Sequence, residues 1–239
     1  MCQFFSFCGD GHGNYLYADW KERKALKFQE CDSHSSILTR SGIPAEKQDR
    51  YSMYEYNPLT KYFNVDRGVD KHDHEAARNW VEARDWKYIV KHLIVKPIIH
   101  PFTIKHPKIT ETDKKLLRKW ASVRASVWDS VRDSVWASVG ASVRASVWNS
   151  VGDSVWNSVR ASVWDSVGNS VWDSVWASVW GYISSFFSIK YKYDYSPCIR
   201  LWESGLVPSF DGKTWRLHGG KDAKVMYEWT PRVKKCPSK

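Results

Sequence analysis

Hydrophobic and polar positions alternate with one dominant rule in the middle of this chain. From Ala121 to Trp180 a tetrapeptide, x-Ser-Val-z, repeats fifteen times without interruption. Position x is only Ala, Asp or Asn, and z is only Trp, Arg or Gly. An aliphatic side chain therefore returns at every fourth residue. On an α-helix, at roughly 100° per residue, each Val lies about 40° further round than the last. Over sixty residues that stripe winds completely round the rod, and a period above 3.6 demands right-handed supercoiling. Ser, Val, Trp, Asp and Asn also each cost roughly 0.5–0.7 kcal/mol relative to Ala in a helix. In an extended chain, x and Val share one face while Ser and z share the other. The block holds no Pro and only Gly140, Gly152 and Gly168, so ordinary hairpins do not divide it. The pattern thus predicts a repeat β-solenoid with α+β caps at both ends. A long α-helix or right-handed coiled coil is the rival.

The tetrapeptide resembles the unit of pentapeptide-repeat β-helices shortened by one residue: a small residue, a polar one, an inward aliphatic and an outward residue. Eight x positions carry Asp or Asn (Asp129, Asp133, Asn149, Asp153, Asn157, Asp165, Asn169, Asp173). Burying them would be costly, so the solenoid requires x at a corner, where Asx residues support turns.

The flanks carry ordinary signals. Gln3–Phe7 and Tyr15–Tyr17 read as strands about a Gly-rich turn, and Asp19 caps a helix from Trp20 to about Phe28. Tyr51–Tyr56 and Lys61–Asp66 form a hairpin about Asn57-Pro58-Leu59-Thr60. Asp73 opens a helical stretch to about Leu93 with Ala76, Trp80, Ala83 and Val90 inward. Val95–Ile104, interrupted by Pro97 and Pro101, is extended. Thr110-Glu111-Thr112-Asp113 starts a basic helix that leads into the repeat. Pro197–Ser204 is a short helix, Phe210–Trp215 a hairpin with an Asp-Gly turn, and Lys224–Trp229 a strand. The organisation is a 1–108 α+β domain, a 109–120 capping helix, the 121–180 repeat and a 181–239 α+β cap.

The opening Met1-Cys2-Gln3-Phe4-Phe5-Ser6-Phe7, Asp32-Ser33-His34-Ser35-Ser36-Ile37, Tyr54-Glu55-Tyr56-Asn57-Pro58-Leu59-Thr60 and the closing segment from Leu201-Trp202 to His218 resemble a family of phage and mobile-element proteins. In that family similar flanks enclose repeats of variable length. The resemblance implies a phage or prophage setting inside a bacterial host and assigns no chemistry.

Charge refines this picture. The chain carries a net charge of +10. Residues 1–120 hold 21 Lys+Arg against 16 Asp+Glu, the repeat 4 against 5, and residues 181–239 hold 11 against 5. The basic excess lies on the flanks, which permits an anionic partner such as nucleic acid and argues against an acidic mimic of DNA. Five Cys without a CxxC, and no leader segment, read as a reduced cytoplasmic setting. No apolar run is long enough for a transmembrane helix, so no membrane partner is expected.

Two candidate chemistries emerge. The first is a binding surface: Trp128, Trp136, Trp148, Trp156, Trp164, Trp172, Trp176 and Trp180 with Arg124, Arg132, Arg144 and Arg160 occupy z. Outward indoles would stack bases, and guanidinium groups would add charge. The same indoles could instead be covered by the flanks or by a second copy of the chain, because such a surface is adhesive. The second is an enzyme in residues 1–108. Removal of Met1 would make Cys2 an N-terminal nucleophile, with His34 beside Asp32 as acid/base. Gln3 departs from the Gly expected after the nucleophile of glutamine amidotransferases. His72 and His74, flanked by Asp70 and Asp73, read as a solvated helix start and not as a metal site. Neither a phosphate loop nor a GxSxG motif is present, and no cofactor is expected. The balance favours a non-enzymatic interaction protein whose partner is itself or nucleic acid.

Overall fold

The computed structural model describes residues 4–25, 31–69, 72–90, 92–105, 108–126, 131–140, 151–157 and 172–231. The described chain is mixed α and β, with two small antiparallel sheets, and it divides into two compact units. The first comprises Met1–Pro97, Val139–Ser154 and Phe186–Ile189. The second comprises Ile98–Ser138, Val155–Ser185 and Lys190–Lys239.

The first unit is built on β1 (Phe5–Gly9), β2 (Tyr15–Leu16), β3 (Ser52–Asn57) and β4 (Tyr62–Arg67), in the order β2-β1-β3-β4. Every residue of β1 is buried, because helices cover both faces of it. On one face Cys8 packs with Ile37 and Leu38 of α2 (His34–Arg40), which follows α1 (Trp20–Ala25). On the other, Phe7 meets Trp80 of α3 (Asp73–Glu82), and Phe5 meets Trp86 of α4 (Trp86–Ile89) edge-on. The start of α1 is a reciprocal capping box: Glu22 N–H donates to Asp19 Oδ1 and Asp19 N–H to Glu22 Oε2. α3 buries Ala77 and Val81 where the pattern suggested Ala76 and Ala83, and it stops at Glu82. Asp85 then caps α4 by accepting from the Lys87 amide, which divides what reads as one long amphipathic stretch.

In the second unit α5 (Glu111–Ser126) opens with Thr110 and Asp113 capping each other's amides. It runs through Trp120 and on into the repeat. α6 (Val131–Gly140) follows, its last two residues assigned to the first unit, and α7 (151–157) is divided between the two units after Ser154; α8 (Trp172–Ile183), α9 (Ser196–Glu203) and the sheet β5 (Leu206–Phe210), β6 (Trp215–Gly219), β7 (Lys224–Trp229) complete the second. Tyr182 and Trp202 stack at 5.0 Å and both engage the backbone of Ile99: Ile99 N–H donates to Tyr182 Oη, and Trp202 Nε1–H donates to Ile99 O.

The β-solenoid is therefore corrected. Every described repeat residue is helical, in 121–126, 131–140, 151–157 and 172–180. Nor is the block one long rod. Trp156 and Trp176 stack at 4.3 Å, whereas twenty residues of continuous helix would separate them by about 30 Å. The two indoles therefore belong to separate helices.

Segmentation removes the objection to helix. Within two or three repeats the Val stripe drifts only about 40–80°, inside the apolar arc an amphipathic helix tolerates. Val131, Val135, Val151, Val155, Val175 and Val179 are all buried accordingly. The x side chain lies two residues from Val, about 200° away, and Asp133, Asp153 and Asn157 are exposed. Among the described x positions only Ala177 is buried, and there the residue is Ala. Ser and z fall on the flanks. Ser126 Oγ bonds back to Ser122 O, while the buried Ser178 Oγ donates to Pro208 O on edge strand β5. Packing, not propensity, supplies most of the helical stability.

Two tests follow from this packing. Val179→Ala deletes two methyl groups from a fully buried site and is expected to lower stability by about 2 kcal/mol in urea denaturation. Ser122→Ala, on an exposed flank, should stay within about 0.5 kcal/mol of the parent. The buried His218 ring accepts from Ser209 Oγ at 2.7 Å and donates from Nδ1 to Ala223 O at 3.0 Å. Burial lowers its pKa below the usual 6.5, so the unfolded chain binds more protons than the folded one beneath that pH. Its contribution is complete above pH 6.5 and declines as the pH falls toward the lower folded value. His218→Gln should flatten that part of the pH–stability curve, leaving the slope from His100, whose pKa burial also lowers.

A candidate groove of aromatic and arginine side chains

The register of the β5–β7 sheet builds the site. Phe210 pairs with Trp215 across the hairpin, and Trp215 pairs with Trp229 across the next ladder, so three aromatic residues form one rung on one face. The Phe210 and Trp215 rings stack at 4.8 Å. The hairpin fixes this register because the Asp211 Oδ1 accepts both the Lys213 and Thr214 amides. Those amides, Thr214 foremost, together with Arg216, hold the Asp211 carboxyl down at about 2. On the opposite face Arg216 bridges Asp211 and Glu228 at 2.6 Å each, tying the turn to β7.

Helix α5 faces the rung. Its buried side is Asp113, Leu116, Leu117 and Trp120. Another side carries Lys114, Arg118, Ala121, Ser122 and Ala125, at helical spacings of three and four. The Arg118 guanidinium lies 5.8 Å from the Trp229 ring, and Lys114 Nζ lies 5.3 Å from the Tyr227 ring. The match is metric: four helical residues rise about 6 Å, and two strand residues about 6.8 Å. Beyond Arg118 the repeat begins, and its Ala and Ser side chains leave a groove of about 610 Å³. Arg118, Arg124, Phe210, Trp215 and Trp229 line it. The first repeats thus form a floor because x and Ser are small.

The repeat indoles meet one another. Trp156 stacks on Trp176, Trp176 lies 5.9 Å from Trp180 at 18°, and Arg132 sits 5.9 Å from the Trp180 ring. The z residues of three helical segments thereby form one column. Trp136, on α6, is 38% exposed. Trp128, Trp148, Trp164, Arg144 and Arg160 lie outside the described residues, as does the Trp172 side chain.

Cys2 also lies outside them. Asp32 and His34 are described, and they serve different partners. Asp32 is buried, receives both terminal nitrogens of Arg23 at 2.5 and 3.1 Å, and accepts the Ser6 amide at 3.3 Å. The His34 Nε2 donates to Tyr54 O at 3.0 Å, and its Nδ1 lies 3.8 Å from Asp66 Oδ2. Asp73, at the α3 start, is buried and accepts the hydroxyls of Tyr15 at 3.1 Å and Tyr54 at 2.9 Å. Burial, with Asp73 beside it, raises the Tyr15 hydroxyl to about 12. Among the described residues no three His, Cys, Asp or Glu side chains gather as a metal would require, and no helix is long and apolar enough to cross a membrane. Cys8, Cys31 and Cys198 are buried, and burial pushes the Cys8 thiol up to about 12. No known protein family, curated protein or solved structure matches this chain.

Sequence reasoning placed the aromatic signal at z and passed over the rung. The trace of it was present: Phe and Trp immediately flank the Asp211-Gly212 turn, which sets them opposite each other. Trp215→Ala, at the 4% exposed centre of the rung, is expected to cost about 3 kcal/mol. Arg216→Ala, whose ion pairs are partly solvated, should cost less than about 1 kcal/mol. Urea midpoints of the two variants give the comparison.

Proposed function

We propose that the chain is a non-enzymatic binding protein that holds single-stranded nucleic acid in the groove between α5 and the β5–β7 sheet. The observation that carries this reading is the cross-strand rung Phe210–Trp215–Trp229 facing Arg118 across a floor of small side chains. Aromatic faces accept any base by stacking, while neighbouring arginines engage phosphate and add cation–π contact. Bases inside a duplex are already stacked and cannot present their faces to such a rung, so the groove selects unpaired strands. Residues 181–239, with eleven basic against five acidic side chains, supply long-range attraction. Among the described residues the groove offers flat rings, guanidinium groups and small side chains, which suits binding.

Fluorescence anisotropy with a labelled single-stranded oligonucleotide tests the reading. Trp229→Ala is expected to weaken binding about five- to 150-fold, the loss of one stacked base. Arg118→Ala should reduce the salt dependence of log K by about 0.7, one phosphate contact on a single strand. Equal affinity for duplex, or affinity indifferent to both substitutions, overturns it.

A further inference from the structure

A second cavity lies wholly within the first unit. It measures about 860 Å³ and is lined by Arg84, Asp85, Trp86, Lys87, the segment His92–Val95 and Ser188. We propose that it is a binding site for an anionic amphiphile, a ligand with an acidic head group joined to an aliphatic body.

Three observations converge. The first is construction. The segment 92–94 is clamped to 186–188 by a short antiparallel bridge: Ser188 N–H donates to His92 O at 2.7 Å, Ile94 N–H donates to Phe186 O at 2.8 Å, and Leu93 pairs with Phe187. Within this clamp His92 is held at a φ of 70°, in the left-handed region that non-glycine residues occupy only when their surroundings enforce it. Because Ser188 O can only accept, the imidazole contact at 3.1 Å is a donation from Nδ1. A strained residue pinned on both its backbone and its ring, on the wall of a cavity, points to a function for that wall.

The second is charge. Arg84 and Lys87 bring basic side chains to this wall, and among the described residues Asp85 is the one carboxylate lining it, with Oδ1 already accepting the Lys87 amide at 3.0 Å. The Arg84 Nε donates to Trp80 O at 3.1 Å and its guanidinium lies over the Trp80 ring, which fixes the group in place. Its terminal nitrogens meet no acceptor among the described residues. An arginine so oriented is suited to a carboxylate or phosphate.

The third is the other half of the lining. Ile94, 39% exposed, and Val95, 44% exposed, give this wall an accessible aliphatic surface, while the neighbouring Leu93 is buried. Unlike the groove of the second unit, the one described indole lining this cavity is already engaged: Trp86 meets Phe4 and Phe5 edge-on and is stacked by Tyr56. An aliphatic wall beside fixed cations therefore favours an alkyl chain with an acidic end over a nucleobase. A few placed polar groups in a mainly apolar cavity of this size is the usual form of a small-molecule site.

The test uses the full chain, with decanoate as ligand and 8-anilinonaphthalene-1-sulfonate as fluorescent reporter. Decanoate is expected to displace the reporter at concentrations about tenfold or more below those of decanol or inorganic phosphate, each of which has only half of the required chemistry. The double substitution Arg84→Gln, Lys87→Gln, at positions outside the core, should abolish that preference and leave the circular dichroism unchanged. In amide NMR spectra of the unsubstituted protein, decanoate should shift resonances of 84–95 and 188. Competition by decanol equal to that by decanoate, a preference that survives the double substitution, or shifts confined to other residues would each overturn the proposal. None of these readings depends on nucleic-acid binding, so the two proposals stand or fall separately.

Discussion

Burial of a valine at every fourth position is the constraint on which the described repeat depends. A four-residue period is not commensurate with 3.6 residues per turn, and the mismatch accumulates at about 40° per unit. A long helix cannot keep such a stripe on one side. A short helix can: in α6, α7 and α8 the described Val side chains are buried, while Asp133, Asp153 and Asn157 are exposed. The described repeat meets this conflict with separate helices, as the stacking of Trp156 on Trp176 requires.

Once the repeat is segmented, the remaining two letters of the motif find separate uses. Ser returns its hydroxyl to a backbone carbonyl, either within its own helix, as at Ser126, or on a neighbouring strand, as at Ser178. The z residues pair with one another, and Arg132 closes the column that Trp156, Trp176 and Trp180 form. In α5 the same motif behaves differently. There Ala121, Ser122 and Ala125 face a sheet, and their small size leaves space where larger side chains would have filled it. One sequence unit therefore makes core, column or groove according to what it meets.

Much of the flanking architecture was legible because its signals are local. The Asp19 and Thr110 caps, the Asn57–Thr60 and Asp211–Thr214 turns and the strand at Lys224–Trp229 all rest on residues within a few positions of each other. The repeat was misread because the argument compared one rod with one solenoid. The drift that excludes a sixty-residue helix says nothing against several short ones, and burial of each Val overrides weak propensity. The phase of α3 was misplaced by one residue because the apolar pattern runs on past Glu82, and the Asp85 cap that interrupts it is a single side chain. The groove was less legible still. Its parts, Arg118, Phe210 and Trp229, are far apart in sequence, and only strand register and the rise of α5 bring them together.

The outward placement of x has a genetic corollary. If replication slips by one unit in this stretch of coding DNA, the reading frame survives, and every downstream valine turns by only about 40° relative to those before it. The rotated stripe still falls within the arc a packed helix can hide. Such a gene can therefore drift in length while its product keeps an inside and an outside.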